Sequence, residues 1–195
     1  MLHREDTQIA GFVFKGQVAT ETVRQLNNAE KKSVEVGFDE IATKVSLSLL
    51  DEDHVAAARK MSAVYMAIAS FENGVRDLVS SRLLEQKGAN WWDTSISADV
   101  KKRAETRQKQ EEKIRWHQAR GLNPIYYTEM GDLVSIIHGN WPLFEDLLHD
   151  IDWVRHIFKA LERSRNVIMH SGQLSMDDIE RVGVLIRDWL RQVGG

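Results

Sequence analysis

The sequence predicts an all-α protein that folds as a helical bundle. The chain of 195 residues contains only two Pro and 12 Gly, and apolar residues recur three and four positions apart over long stretches, as they do on one face of a helix. Short loops separate these stretches, which favours a bundle. At about 100–200 residues per domain, the length predicts one domain with or without an extension. We expect an N-terminal extension over residues 1–50 and a helical domain over residues 51–195.

The individual helices are predicted from this spacing and from residues that begin or end helices. In order, they cover residues 17–31, 53–86, 98–118, 129–138, 142–149, 151–170 and 176–193, while segment 34–50 mixes β-branched residues with helix formers and is left unassigned. Short side-chain oxygens accept hydrogen bonds from the free N–H groups of a first turn. The candidate caps of this kind are Asp51 or Asp53, Ser97, Thr128 and Ser175. Pro142 favours a first turn, and Gly172 follows the end of a helix.

Two charged residues interrupt the apolar stripes of these helices. In helix 53–86 the spacing places Glu72 on the stripe, and in helix 151–170 it places Arg165 there. Because a buried charge requires a partner, an ion pair between Glu72 and Arg165 is one interpretation. An ion pair between Glu72 and Arg76, four residues along the same helix, is another.

Arg165 also begins a short segment whose side chains suit metal-free RNA cleavage. Asn166 and His170 follow it, four residues apart. An arginine fork matches phosphate oxygens, an amide orients a hydroxyl or a phosphate, and an imidazole takes or gives a proton. Together they suit attack of a 2′-hydroxyl on the adjacent phosphorus, with the arginine holding the developing charge. The simpler interpretation is that these side chains cap carbonyl groups or pair with an acid.

A basic segment, residues 101–120, offers a surface for RNA. It holds eight Lys and Arg against three Glu, a local charge of +5, so the rest of the chain carries −8 within a total of −3. Such a helix can follow a phosphate backbone, and an exposed tryptophan can stack on bases. The candidate RNA-binding residues are Lys101, Lys102, Arg103, Arg107, Lys113, Arg115 and Trp116. A solvated helix with Glu–Lys pairs is the alternative, and we expect Trp91 and Trp92 to pack in the bundle.

Composition and motifs exclude several classes of protein. The chain has no Cys, which excludes disulfides, cysteine zinc sites and thiol nucleophiles. Its histidines lack the spacing of metal ligands, so we expect no metal and no cofactor. No segment has the features of a signal peptide or a membrane span, which predicts a cytoplasmic protein with no membrane partner. A phosphate-binding loop of the G-x-x-x-x-G-K-[ST] type is absent from the sequence, so a nucleotide-binding regulator ranks last among the candidate functions.

Several motifs resemble those of HEPN domains, specifically their Swt-type branch. The segment Arg165-Asn166-x-x-x-His170 has the R-N-x-x-x-H form of the HEPN motif. The wider pattern comprises Phe71-Glu72-Asn73 with Arg76, Trp91-Trp92, Trp116-His117, Tyr126-Tyr127-Thr128, Gly131-Asp132-Leu133, Trp141 with Leu143-Phe144, and Arg187-Asp188-Trp189-Leu190. The resemblance covers about residues 55–195 and leaves out the N-terminal segment.

This resemblance implies a four-helix up-and-down core with additional helices, and a homodimer in which the motif helices of two protomers meet. Many HEPN domains are metal-independent endoribonucleases of toxin–antitoxin and antiviral systems, while others only bind or dimerise. Carried over to this chain, Arg165 and His170 form the catalytic pair, Asn166 supports them, and Glu72 occupies an acidic position on the long helix. The implied partners are RNA, a second copy of the chain, and an antitoxin or regulatory protein.

Two functions of different classes therefore remain open at the level of sequence. The first is a metal-independent endoribonuclease that acts as a toxin or abortive-infection effector and cleaves RNA at a dimer interface. The second is a non-catalytic HEPN module that dimerises or binds RNA or a nucleotide. In the second case Arg165 has a structural role, because its place on the apolar stripe is explained by an ion pair alone.

Overall fold

A computed structural model describes residues 37–114 and 116–194 of the chain. All regular secondary structure in these residues is helical, so the all-α prediction is confirmed. The α-helices are α1 (Phe38–Lys44), α2 (Glu52–Lys87), α3 (Trp91–Ser95), α4 (Ala98–Glu112), α5 (Met130–Gly139), α6 (Glu145–Leu148), α7 (Ile151–Met169) and α8 (Met176–Val193), and short 3-10 helices occupy Leu47–Leu49, Pro124–Tyr127 and Trp141–Leu143. The helix predicted over residues 17–31 lies outside the described residues.

The described residues fall into two units, which divide between Glu52 and Asp53. In the first unit, α1 and the 3-10 helix Leu47–Leu49 contain no buried residue. The second unit holds the helices from α2 onward and the hydrophobic core. Within the described part of the chain, each helix is too short or too polar to cross a bilayer.

Two of the predicted N-caps are confirmed by hydrogen bonds. The Ser97 hydroxyl accepts from the backbone N–H of Val100 at 3.4 Å, which begins α4. The Ser175 hydroxyl accepts from the backbone N–H of Asp178 at 3.2 Å, which begins α8. In both cases a side-chain oxygen satisfies an N–H group that has no partner within its helix.

The cap predicted at Thr128 is wrong. The Thr128 hydroxyl donates to the carbonyl of Ile125 at 2.7 Å, within the preceding 3-10 helix. Helix α5 instead has Glu129 at its N-cap position, and the Asp132 carboxylate accepts from the Glu129 backbone N–H at 3.1 Å. A carboxylate three residues inside the helix is the returning half of a capping box, so the acid rather than the threonine fixes where α5 begins.

Helix α4 ends at Glu112, well before the predicted end at residue 118. The chain turns back there, because the Glu111 carboxylate pairs with the Arg120 guanidinium at 2.5 Å and accepts from its backbone N–H at 3.4 Å. The predicted helix over 142–149 is also interrupted. Buried Phe144 separates the 3-10 helix Trp141–Leu143 from α6, and its backbone N–H bonds to the carbonyl three residues back at 2.8 Å.

Three aromatic rings bring α2, α7 and α8 together. Phe71, Phe158 and Trp189 are all buried, and each pair of their ring centroids is 5.5 Å apart in an edge-to-face arrangement. Such contacts are worth roughly 0.5–1.5 kcal/mol each beyond the area that they bury. Because Glu72 directly follows Phe71, this packing turns α2 so that a carboxylate faces α7. Trp91 is buried in the same core, as the sequence predicted.

Candidate active site

The Glu72 carboxylate lies between two guanidinium groups. Arg165 Nη1 on α7 is 3.3 Å from Glu72 Oε2, and Arg76 Nη2 donates to Glu72 Oε1. Arg76 also donates to the Thr128 carbonyl at 2.9 Å and to Asn73 Oδ1 at 2.8 Å. Both ion pairs that the sequence offered as alternatives are therefore present at once.

This network leaves one positive charge in excess at a largely buried position. The side chains of Glu72 and Arg76 are 8% and 10% exposed, whereas that of Arg165 is 24% exposed. Arg165 Nη2 donates no hydrogen bond to another described residue. The Nε atoms of Arg76 and Arg165 are buried without a partner among the described residues. Because one carboxylate balances only one of the two guanidinium groups, the electrostatic potential at the exposed part of Arg165 favours an anion.

Arg165 opens into a cleft of about 530 Å³. Helix α2 supplies Tyr65, Glu72 and Arg76 to its wall, and α7 supplies Asn166 beside Arg165. The segment between α4 and α5 contributes Arg120, Tyr126, Thr128 and Glu129. The volume falls within the range of small-ligand sites, about 300–1,000 Å³, and three arginines face it against two glutamates.

His170 lies at the end of α7 and is exposed. Its backbone N–H still bonds to the Asn166 carbonyl at 3.1 Å, but the helix ends one residue earlier, at Met169. Among the described residues, the cleft of a single chain is lined by Arg165 and Asn166 but not by His170. The structure thus brings three of the predicted catalytic residues to one cleft, namely Glu72, Arg165 and Asn166, and leaves the fourth, His170, outside its lining.

A tight turn fixes the backbone at His170. The N–H of Ser171 bonds to the Ile168 carbonyl at 3.0 Å, and that of Gly172 bonds to the Val167 carbonyl at 2.8 Å. This pair of bonds is a Schellman motif, in which the residue after the helix takes a left-handed conformation. That residue is Ser171, with φ of 61°. Gly172 is needed for close approach, since a Cβ there would lie 2.8 Å from the Val167 carbonyl oxygen.

The predicted RNA-binding residues do not act as one free surface. Arg103 Nε and Arg107 Nη1 each lie 2.7 Å from the buried Asp132 carboxylate. Arg107 also donates to the Tyr127 carbonyl at 2.8 Å, and Lys101 donates to the Asp93 carbonyl at 2.6 Å. Three of the remaining candidates are exposed, namely Lys102, Lys113 and Trp116. The last candidate, Arg115, lies outside the described residues.

These contacts lower the pKa of the Asp132 carboxyl in spite of its burial. Burial by itself raises the pKa of its carboxyl, but hydrogen bonds from the Glu129 backbone, from Arg107 and from Arg103 outweigh that effect and hold the pKa below its usual value. The carboxylate therefore joins the basic helix α4 to the start of α5. Sequence analysis did not single out this role, although an acid three residues inside a helix is a capping signal.

Arg120 and Tyr126 were also missed as site residues. They lie in an irregular segment that brings them to the cleft by folding back against α4. Periodicity gives no information about such a segment, and the only sequence signal was the aromatic pair at Tyr126 and Tyr127.

The fold and the motif agree with one known family. The family model described as Swt1-like HEPN matches residues 66–194. The chain belongs to the Swt1-like HEPN family. Neither the curated proteins nor the solved structures include a significant match to it. Within this HEPN domain, the match covers the cleft residues from Glu72 to Asn166, and also His170. Among its described residues there is no group of three or more His, Asp or Glu that could hold a metal ion.

Proposed function

We propose that this HEPN domain is a metal-independent endoribonuclease that works as a homodimer. The observation that carries the proposal is Arg165, whose Nη1 lies 3.3 Å from a buried carboxylate and whose side chain lines an open cleft. A guanidinium fixed in this way is suited to bind a phosphate, because its planar group can donate two strong, directional hydrogen bonds to phosphate oxygens. Asn166 lines the same cleft and supplies an amide beside it.

The proposed step is transfer of the phosphate to the neighbouring 2′-oxygen. His170 takes the proton of the 2′-hydroxyl as the O2′–P bond forms and the P–O5′ bond breaks. The departing 5′-oxygen takes up a proton from an imidazolium or from water. Arg165 stabilises the charge that develops on the non-bridging oxygens. Such stabilisation by a preorganised donor is usually the largest single contribution to catalysis. The products are a 2′,3′-cyclic phosphate and a 5′-hydroxyl.

A second copy of the chain is part of this proposal. His170 is exposed at the end of α7 and has no hydrogen-bond partner for its ring among the described residues. Exposed Met169 precedes it, and exposed Met66 and Tyr65 lie on α2. Apolar side chains next to a polar motif are typical of an interface. We propose that pairing of two α7 helices brings the two His170 side chains to a shared cleft.

RNA cleavage in EDTA tests the nuclease directly. Wild type is expected to cut single-stranded RNA without added metal, and His170→Ala is expected to be inactive with an unchanged melting temperature. An oligonucleotide with 2′-deoxyribose throughout is expected to resist cleavage because it lacks the attacking hydroxyl. Equal cleavage by wild type and His170→Ala, or strict dependence on Mg²⁺, contradicts the proposal.

The physiological role that we propose is that of a toxin or antiviral effector. An endoribonuclease without a restraining partner is expected to stop growth when it is expressed in bacteria. Expression of wild type should therefore arrest growth, whereas His170→Ala should not. Growth arrest by both forms at equal protein levels contradicts a role that depends on RNA cleavage.

A second candidate is a non-catalytic module that dimerises or binds RNA. The contact between Glu72 and Arg165 favours it, because this ion pair explains the position of Arg165 without any substrate. In that case Arg165→Ala lowers the melting temperature strongly, and no RNA is cleaved by wild type. Loss of cleavage in Arg165→Ala with little loss of stability excludes the second candidate.

A further inference from the structure

The wall of the cleft carries an aromatic ring that is fixed in place. Tyr126 lines the cleft and is 40% exposed. Its ring packs on the backbone of Gly121, where a Cβ would lie only 2.9 Å from Tyr126 Cδ2, and Gly121 has φ of 155°, a conformation that favours glycine. The ring is therefore backed by main chain, while its exposed part faces the cleft.

A guanidinium, that of Arg120, lines the same cleft as Tyr126 and is held by a separate set of contacts. Arg120 Nε lies 2.5 Å from Glu111 Oε1, and Arg120 Cζ lies 5.9 Å from the ring centroid of buried Tyr127. The Tyr127 hydroxyl donates to the Gly121 carbonyl at 3.0 Å, which ties the turn together. The two terminal nitrogens of Arg120 donate no hydrogen bond to the described residues, and its side chain is 50% exposed. The contacts that hold Arg120 thus leave its donors available to a ligand.

We infer that Tyr126 and Arg120 form a subsite for one unpaired nucleotide of the RNA, in which Tyr126 stacks on the base and Arg120 binds the adjacent phosphate. An aromatic ring beside a cation is the combination that binds single-stranded nucleic acid without reading its sequence. The cleft, at about 530 Å³, has the volume of a site for a small ligand such as one nucleotide. This inference rests on the proposed function, because the subsite would hold the nucleotide next to the phosphate that Arg165 is proposed to bind.

The charges of the cleft fit this assignment. Glu129 is its other acidic residue besides Glu72, and Arg107 neutralises Glu129 at 3.0 Å. Glu72 is already shared by two arginines. The carboxylates of the cleft are therefore compensated from within the protein, and the free donors of Arg120 and Arg165 are left for phosphate oxygens.

Binding of short RNAs to the His170→Ala form tests the subsite independently of cleavage. Fluorescence anisotropy with a labelled oligoadenylate is expected to give a Kd roughly 10-fold weaker for Tyr126→Ala and nearly unchanged for Tyr126→Phe, which keeps the ring. An abasic oligomer of the same length and a duplex RNA should bind the Tyr126→Ala form as they bind its parent. Unchanged oligoadenylate binding by Tyr126→Ala, or an equal loss for the abasic oligomer, overturns the stacking role.

The role of Arg120 is tested by salt dependence. Arg120→Ala should reduce the slope of log Kd against log salt concentration by about one phosphate contact. Arg155 is the matched control, since it lies on α7 outside the cleft and pairs with Asp152 at 2.7 Å. An unchanged slope for Arg120→Ala, or the same reduction for Arg155→Ala, overturns this part of the inference. If His170→Ala still cleaves RNA, the proposed function fails while these binding results stand on their own.

Discussion

Arg165 of α7 and Glu72 of α2 are joined by a 3.3 Å contact between Nη1 and Oε2, at a point where both helices carry their apolar stripes toward the core. The same carboxylate is also bound by Arg76. Glu72 therefore has two roles that can be separated by experiment, because one guanidinium is buried with it and the other opens into the cleft.

Replacing Glu72 by Gln is expected to destabilise the domain. The change keeps the shape of the side chain but leaves both guanidinium groups without the anion that they share, and breaking a buried ion pair costs about 3–5 kcal/mol. Urea unfolding should show this loss at neutral pH. Glu180 on α8 is exposed, and Glu180→Gln serves as the control. A free energy of unfolding for Glu72→Gln equal to that of the control contradicts the network.

Replacing Arg76 by Ala is expected to affect mainly the stability of the domain, whereas replacing Arg165 by Ala is expected to affect mainly RNA cleavage. Arg76→Ala removes the buried partner of Glu72 and the donor to the Thr128 carbonyl, with a cost of about 3 kcal/mol. Arg165→Ala leaves Glu72 paired, so the cost falls to about 1 kcal/mol, while single-turnover cleavage drops by roughly 10²–10³-fold. Unfolding and cleavage are measured on the same preparations. Similar stability losses in the two variants would show that Arg165 has mainly a structural role.

Asp132 gives the domain a defined response to acid. Its pKa in the folded state lies below the unfolded value of about 3.9, so its stabilisation is complete above that value and is lost as the pH falls through the folded pKa. Asp132→Asn should cost roughly 2–3 kcal/mol at pH 7. The difference between wild type and variant should shrink below about pH 4. A constant difference down to pH 3, or a similar cost for exposed Asp77→Asn, contradicts this account.

The turn after α7 offers a substitution that stabilises the protein. Ser171 has φ of 61°, a conformation that costs residues with a Cβ about 1–2 kcal/mol relative to glycine. Ser171→Gly is expected to raise the free energy of unfolding by about 0.5–1 kcal/mol, because part of the gain is offset by a more flexible unfolded chain. Gly172→Ala is the contrasting variant and should destabilise, since its Cβ would meet the Val167 backbone. Thermal unfolding of both variants checks the prediction.

The charged residues of the network could be predicted from sequence because they break a pattern. Glu72 and Arg165 occupy positions that the three–four spacing reserves for apolar side chains, and a buried charge requires a partner. The helices themselves follow from the same spacing, and Ser97 and Ser175 cap them as expected. The spacing of apolar residues within a helix and the residue type at its N-cap were sufficient to predict each of these features.

Contacts between distant segments could not be predicted in the same way. Arg103 and Arg107 were assigned to RNA because their segment is basic, yet both contact Asp132, which is more than twenty residues away in the chain. A charge count over one segment cannot include an acidic residue of another helix that neutralises it in the folded protein. The position of Arg120 and Tyr126 at the cleft depends likewise on how an irregular segment folds back on α4.

The motif Arg165-Asn166-x-x-x-His170 crosses the end of a helix, so its two ends are controlled by different parts of the backbone. The direction of Arg165 is set by the register of α7 against α2, whereas the direction of His170 is set by a turn of three residues. A mutation in that turn can redirect the imidazole and leave the guanidinium untouched. The proposed RNA cleavage can therefore be adjusted, or lost, through a few backbone torsions without any change in the bundle or in the motif residues themselves.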